Sequence, residues 1–135
     1  MPFADNDGIR IHYQIEGSGP PLVLHTGFGG RLEAYYRNGF VDALKGNYQL
    51  ILLDPRGQGR SDKPHDPTAY TLRKRVADVL AVLDDVGVPR SHFYGYSMGA
   101  RIGFGLGLYA QDRFASLILG GMNAYPPEPH PEEDL

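Results

Sequence analysis

Two hydrophobic spacings alternate along this chain of 135 residues. Ile9-Arg10-Ile11-His12-Tyr13-Gln14-Ile15 alternates apolar and polar positions and stops at Glu16-Gly17-Ser18-Gly19-Pro20, which predicts a half-exposed strand closed by a turn. Phe3 to Asp5 is its expected antiparallel partner, across Asn6-Asp7-Gly8. Pro21-Leu22-Val23-Leu24-His25 and Tyr48-Gln49-Leu50-Ile51-Leu52-Leu53 are continuous apolar runs, the signature of strands covered on both faces in a parallel sheet. Ser91 to Tyr94 and Phe114 to Met122 read as two more buried strands.

Helical spacing fills the intervals. Leu32, Tyr35, Tyr36, Phe40, Ala43 and Leu44 predict one helix over Leu32 to Leu44, closing at Lys45-Gly46-Asn47. Leu72, Val76, Val79, Leu80, Leu83 and Val86 form a stripe on a helix that Thr71 can cap and Gly87 can end. Met98 to Ala110 carries Ile102, Phe104, Leu106, Leu108 and Tyr109 interleaved with Gly99, Gly103, Gly105 and Gly107. Each such glycine costs a helix up to ~1 kcal/mol, and close packing against a sheet is the return expected for it. The pattern as a whole predicts an α/β fold: a mostly parallel sheet of about six strands, right-handed crossovers and flanking helices. Residues 1–124 form the core, and the segment 125–135, with four prolines and four acidic residues, is an extension of it.

Composition narrows the function classes. A hydrophobic content of 41% with 21% charged residues suits a soluble globular domain. The formal net charge of −3, with both signs interspersed, disfavours a nucleic-acid or membrane-surface partner. There is no cysteine, which excludes disulfides and thiolate metal sites and makes the cytoplasm the expected compartment. The start, Met1 to Asp7, lacks the basic and apolar regions of a signal peptide.

Candidate chemistry gathers at three loops. Gly95-Tyr96-Ser97-Met98-Gly99 reads G-x-S-x-G between a predicted strand and a predicted helix, the context of a nucleophilic serine on a sharp turn. A side chain at Gly95 or Gly99 would collide with such a turn, and the amide of Met98 at the helix start would face a developing oxyanion. In a chain with 18 glycines the pentapeptide alone is also what a plain tight turn looks like. His25-Thr26-Gly27-Phe28-Gly29-Gly30 closes a buried strand on the same side of the sheet, and a backbone amide from it could complete the oxyanion hole. Asp54-Pro55-Arg56-Gly57-Gln58-Gly59-Arg60-Ser61-Asp62 follows the next strand; an Asp54–Arg56 pair is expected to fix this loop as support for the cleft. It lacks the lysine of a phosphate-binding P-loop.

In order and spacing these segments resemble the amino-terminal half of an α/β-hydrolase fold, nearest the branch of esterases, enol-lactonases and cofactor-free haloperoxidase or perhydrolase-like enzymes. The resemblance covers about residues 3–124. It implies hydrolysis of a carboxylic ester or lactone of a small acyl substrate, with Ser97 as nucleophile, Met98 as one oxyanion donor, and no cofactor or metal. The family usually has His-Gly followed directly by the second donor, whereas this loop reads His25-Thr26-Gly27-Phe28, so Gly27 and Phe28 both stand for that role. His25 is implied to brace the loop.

A serine nucleophile needs a base, and the base needs an orienting acid. The family places its histidine after the last strand and its acid after the sixth or seventh, and neither has a counterpart in this sequence. His12, His65 and His92 lie away from the predicted cleft, leaving His25 and His130; the eight residues beyond Met122 could carry His130 up to about 27 Å. A chain ending near strand six also exposes an apolar sheet edge, so a homodimer or other homo-oligomer is expected. The alternative function is a catalytically inactive half-domain that dimerises as a binding or assembly module, or one piece of a longer hydrolase.

Overall fold

A computed structural model describes residues 2–123; the predicted extension 125–135, with His130, lies outside the described residues. Six strands form one sheet: β1 (Phe3–Asn6), β2 (Ile9–Glu16), β3 (Pro21–His25), β4 (Gln49–Leu53), β5 (Ser91–Tyr96) and β6 (Phe114–Gly120), in the order β1-β2-β4-β3-β5-β6. β1, β2 and β4 pair antiparallel, whereas β4, β3, β5 and β6 run parallel. The two-residue turn of the β1–β2 hairpin has Asp7 at φ 52° and Gly8 at φ 88°, the doubly left-handed turn whose twist matches two antiparallel strands.

Among the described residues four α-helices flank the sheet: α1 (Glu33–Arg37), α2 (Phe40–Leu44), α3 (Leu72–Val86) and α4 (Met98–Tyr109). On one face Val23, Ile51, Leu53 and Phe93 pack against α3 and α4 residues such as Val79, Leu83, Ile102 and Leu106. On the other, Leu22, Leu24, Leu50 and Leu52 pack with Leu32, Tyr35 and Val41. Leu50 to Leu53 are all at 0% exposure, as a strand between two helix layers requires. Each such side chain contributes about 1.5–3 kcal/mol by leaving water.

The single helix expected over Leu32 to Leu44 is instead two, α1 and α2, broken at Gly39 (φ 88°). Asn38 Oδ1 accepts from the Phe40 amide at 3.3 Å, and the bend brings the Phe40 ring within 5.2 Å of Tyr35 and 5.5 Å of Tyr94. The apolar spacing runs on through the break, which is why it reads as one helix. α3 ends as expected: Thr71 Oγ1 accepts from the Lys74 amide, and Gly87 (φ 83°) donates to Leu83 and Asp84 carbonyls.

The glycines of α4 also act as expected. A Cβ on Gly103 would lie 2.2 Å from Leu119 Cδ2, on Gly107 3.1 Å from Leu117 Cδ1, and on Gly105 2.8 Å from Val76 Cγ2. Their absence lets the helix lie directly on β6 and against α3.

Candidate functional site

Parallel pairing decides which loops meet. His25 at the end of β3 is in register with Leu53 of β4 and with Gly95 of β5, so the segments that follow these strands emerge side by side. Ser97 stands at the turn from β5 into α4 with φ 58° and ψ −117°, one of two non-glycine residues with positive φ among the described residues. That conformation is costly for a residue with a Cβ. The chain holds it there: the Ser97 amide donates to the Gly120 carbonyl (2.9 Å), and the Ser97 carbonyl accepts from Ala100 (2.9 Å) and Arg101 (3.1 Å).

The flanking glycines are explained by contact. A Cβ on Gly95 would lie 2.3 Å from the Gly99 carbonyl oxygen, and one on Gly99 2.5 Å from the His25 carbonyl oxygen. The loop after β3 is just as close: a Cβ on Gly27 would be 3.2 Å from Ser97 Cβ and 3.7 Å from its Oγ. Gly30 donates to the Gly27 carbonyl (3.0 Å) across a turn with Gly29 at φ 79°. Gln58 Nε2 ties this loop to the one after β4, donating to the carbonyls of Gly27 (3.1 Å) and Gly30 (2.6 Å).

Asp54 and Arg56 do not pair with each other. The Asp54 carboxylate, at 0% exposure, accepts from the Leu32 amide (2.8 Å), the Arg60 amide (3.1 Å) and His12 Nδ1 (2.9 Å). Arg56 reaches across to α3 and grips Asp78 with Nε and Nη2, both at 2.6 Å, while Nη1 donates to the Ala69 carbonyl. The reason is direction: Asp54 turns inward toward β2 and Leu32, whereas the planar guanidinium fork finds a two-oxygen partner on the next helix. Asp78 and Gln58 thus escape a reading of the loops alone. The signal for Asp78 is a carboxylate between Val76 and Val79, on the buried face of α3.

Three of the four described histidines are hydrogen-bonded to other groups and the fourth is exposed. His12 bonds Asp54, His92 Nδ1 contacts Ser116 Oγ (2.6 Å), and His65 is exposed in the loop before the 3₁₀ turn at Pro67–Tyr70. His25 is buried with Nδ1 donating to the Thr26 carbonyl (2.8 Å). Burial pushes it down to about 4, opposed by that carbonyl and reinforced by the Arg75 charge, so it is a neutral brace at pH 7.

Two cavities open here. One of about 400 Å³ is lined by Ser97, Gly27, Phe28, Tyr35 and Tyr94. A larger one of about 640 Å³ does not include Ser97 itself but adjoins it through Met98 and Phe28, and is lined further by Arg56, Tyr70, Arg75 and Arg101. Phe28, 85% exposed, lines both. Among the described residues no cluster of three or more His, Asp or Glu is placed to hold a metal ion, and no helix is long and apolar enough to cross a membrane.

Known proteins are similar to this chain in sequence and fold. A profile of the alpha/beta hydrolase fold matches residues 20–135. The chain is 37% identical over 124 residues to 3-oxoadipate enol-lactonase 1 of Acinetobacter baylyi, covering 90% of this chain and 45% of that protein. It is 35% identical over 125 residues to the cis-3-alkyl-4-alkyloxetan-2-one decarboxylase of Shewanella oneidensis, covering 91% of this chain and 39% of that one. The solved enol-lactonase of Burkholderia xenovorans superimposes with a TM-score of 0.79 at 32% identity, over 86% of this chain and 45% of the enzyme. The chain spans less than half the length of these relatives, and their names cover more than one reaction. Because the match runs through β3 to β6 and through the loops that meet at Ser97, this chain belongs to the alpha/beta hydrolase fold family.

Proposed function

We propose that the chain carries the nucleophile and oxyanion hole of a serine hydrolase acting on carboxylic esters or lactones. The observation that carries this reading is the backbone of Ser97, held at φ 58° and ψ −117° between two glycines that tolerate no side chain. Strain of this kind persists where the surroundings impose it, and it clusters at reactive positions. In this reading Ser97 Oγ attacks the carbonyl carbon, the carbonyl oxygen becomes an oxyanion, and the alcohol leaves with a proton to give an acyl-serine that water then hydrolyses.

The Met98 amide is one oxyanion donor. It belongs to the first turn of α4, where amides have no carbonyl of their own helix to bond. Phe28 supplies the other in this reading. The Gly27 carbonyl is drawn toward Gly30 and Gln58, and in a trans peptide the Phe28 amide points the opposite way. Gly27 then serves by lacking a Cβ where the loop passes Ser97. The base is assigned to the protein beyond residue 123, His130 included, because three of the four described histidines are engaged by other groups and His65 is exposed on its loop. Enol-lactonases among the relatives agree with a lactone or ester substrate.

The test is covalent labelling by a fluorophosphonate, with the modified residue mapped by mass spectrometry. Wild-type protein should be labelled at Ser97, and Ser97→Ala should lose the label while keeping its thermal midpoint within about 2 °C, because Ala suits the same site sterically. Equal labelling of the two proteins, or none of either, overturns the assignment.

A further inference from the structure

We infer that the cavity beside Ser97 is an anion-binding chamber, so that the ester or lactone taken by this site bears a carboxylate of its own. The inference rests on Ser97 as the nucleophile.

Three arginines, Arg56, Arg75 and Arg101, line one cavity of about 640 Å³ whose other walls include Phe28, Met98 and Ile102. The volume lies within the range of small-molecule sites, and an apolar wall with a few convergent polar groups is their usual make-up. The Asp78 carboxylate faces this group, but the two-pronged grip of Arg56 and a bond from Asn6 Nδ2 at 2.8 Å already engage it.

Arg75 is the informative member. Its Nη1 is buried without a hydrogen-bond partner, and its guanidinium carbon lies 5.1 Å from the centre of the Tyr70 ring. Burial draws the proton affinity of that guanidinium down; Asp78 opposes this and Arg56 adds to it. A buried guanidinium N–H with no acceptor is costly, and a bidentate carboxylate supplies the acceptor and the countercharge together. Phe28 lines both this chamber and the one that holds Ser97, and Met98, next to Ser97 in the chain, lines the arginine chamber, so the two adjoin, and in this proposal one molecule occupies both. An apolar wall suits a monoanion on a carbon chain better than a strongly hydrated phosphate.

The experiment titrates the ¹⁵N-labelled 135-residue chain with hexanoate, hexanamide and inorganic phosphate in turn. Hexanoate should shift the amides of Gly29, Gly57 and Met98 and bind at least tenfold tighter than hexanamide. Arg75→Gln should erase that preference, with Arg75→Lys, which keeps the charge but not the fork, falling between. Equal binding of acid and amide, an undiminished preference in Arg75→Gln, shifts confined to other surfaces, or tighter binding of phosphate than of hexanoate each overturn the proposal. Ser97→Ala is titrated alongside. A persisting hexanoate preference without Ser97 labelling sinks only the nucleophile assignment, and labelling without the preference sinks only the chamber.

Discussion

Replacing Gly95 by alanine inserts one methyl group at the most crowded point of the turn. The new Cβ would stand 2.3 Å from the Gly99 oxygen, 2.5 Å from the Gly99 carbon and 2.8 Å from Phe93 Cε1. Relief requires about 1 Å of separation, since nonbonded carbon atoms rest at 3.5–4.0 Å. Two of the three obstacles are backbone, so the first turn of α4 must lift, straining the bonds from Ala100 and Arg101 to the Ser97 carbonyl. Overpacking of this kind costs up to about 3 kcal/mol, less some 0.4–1 kcal/mol gained from a stiffer unfolded chain. A net of about 2–2.6 kcal/mol corresponds to a fall in the thermal midpoint of roughly 7–9 °C for a domain of this size. The same lift displaces the Met98 amide, and misplacement by 1 Å costs about 10²-fold in reaction rate. Gly120→Ala is the control on the same cleft, because its Cβ would meet only Tyr96 Cδ1 at 3.7 Å. The assays are thermal unfolding followed by circular dichroism and the rate of fluorophosphonate labelling. A Gly95→Ala protein that melts within about 2 °C of wild type and labels at an unchanged rate would refute the account of the turn.

Ser97→Gly should raise the thermal midpoint by a few degrees while abolishing labelling, because relief of about 1–3 kcal/mol of backbone strain exceeds the ~0.4–1 kcal/mol lost to a freer unfolded chain; a midpoint below that of Ser97→Ala would show that the position is unstrained. His25, pushed down to about 4 by burial, is neutral in the fold while the unfolded chain takes up its proton near the ordinary value of 6.5. Its contribution is therefore whole above about pH 6.5 and lost as pH falls toward 4, amounting to about 3 kcal/mol. Urea unfolding at pH 7 and pH 4 should show that loss in wild type and not in His25→Gln, and equal losses in both would discount the buried imidazole as its source.

The strands, the hairpin and the turn at Ser97 are legible from local pattern, because each depends on the residues inside it. Continuous apolar runs mean burial on both faces, Asn6-Asp7-Gly8 means a left-handed turn, and G-x-S-x-G states where the backbone needs room. The helix break at Asn38-Gly39 was obscured for a related reason: the apolar spacing is in phase on both sides of it, and a glycine permits a left-handed backbone without requiring one.

What the sequence determined on its own is the order of strands and the backbone of the turn at Ser97, since periodicity reports which face is buried and glycine reports where no Cβ fits. Tertiary structure decided the partners. Asp54 and Arg56 are two residues apart, yet one turns to His12 and Leu32 and the other to Asp78, 22 positions on. Gln58 ties two loops together, and Arg56, Arg75 and Arg101 converge on one cavity from a loop and two helices. Such pairings depend on where side chains point once parallel strands have set their loops side by side, and a linear pattern of hydrophobic and polar positions does not carry that direction.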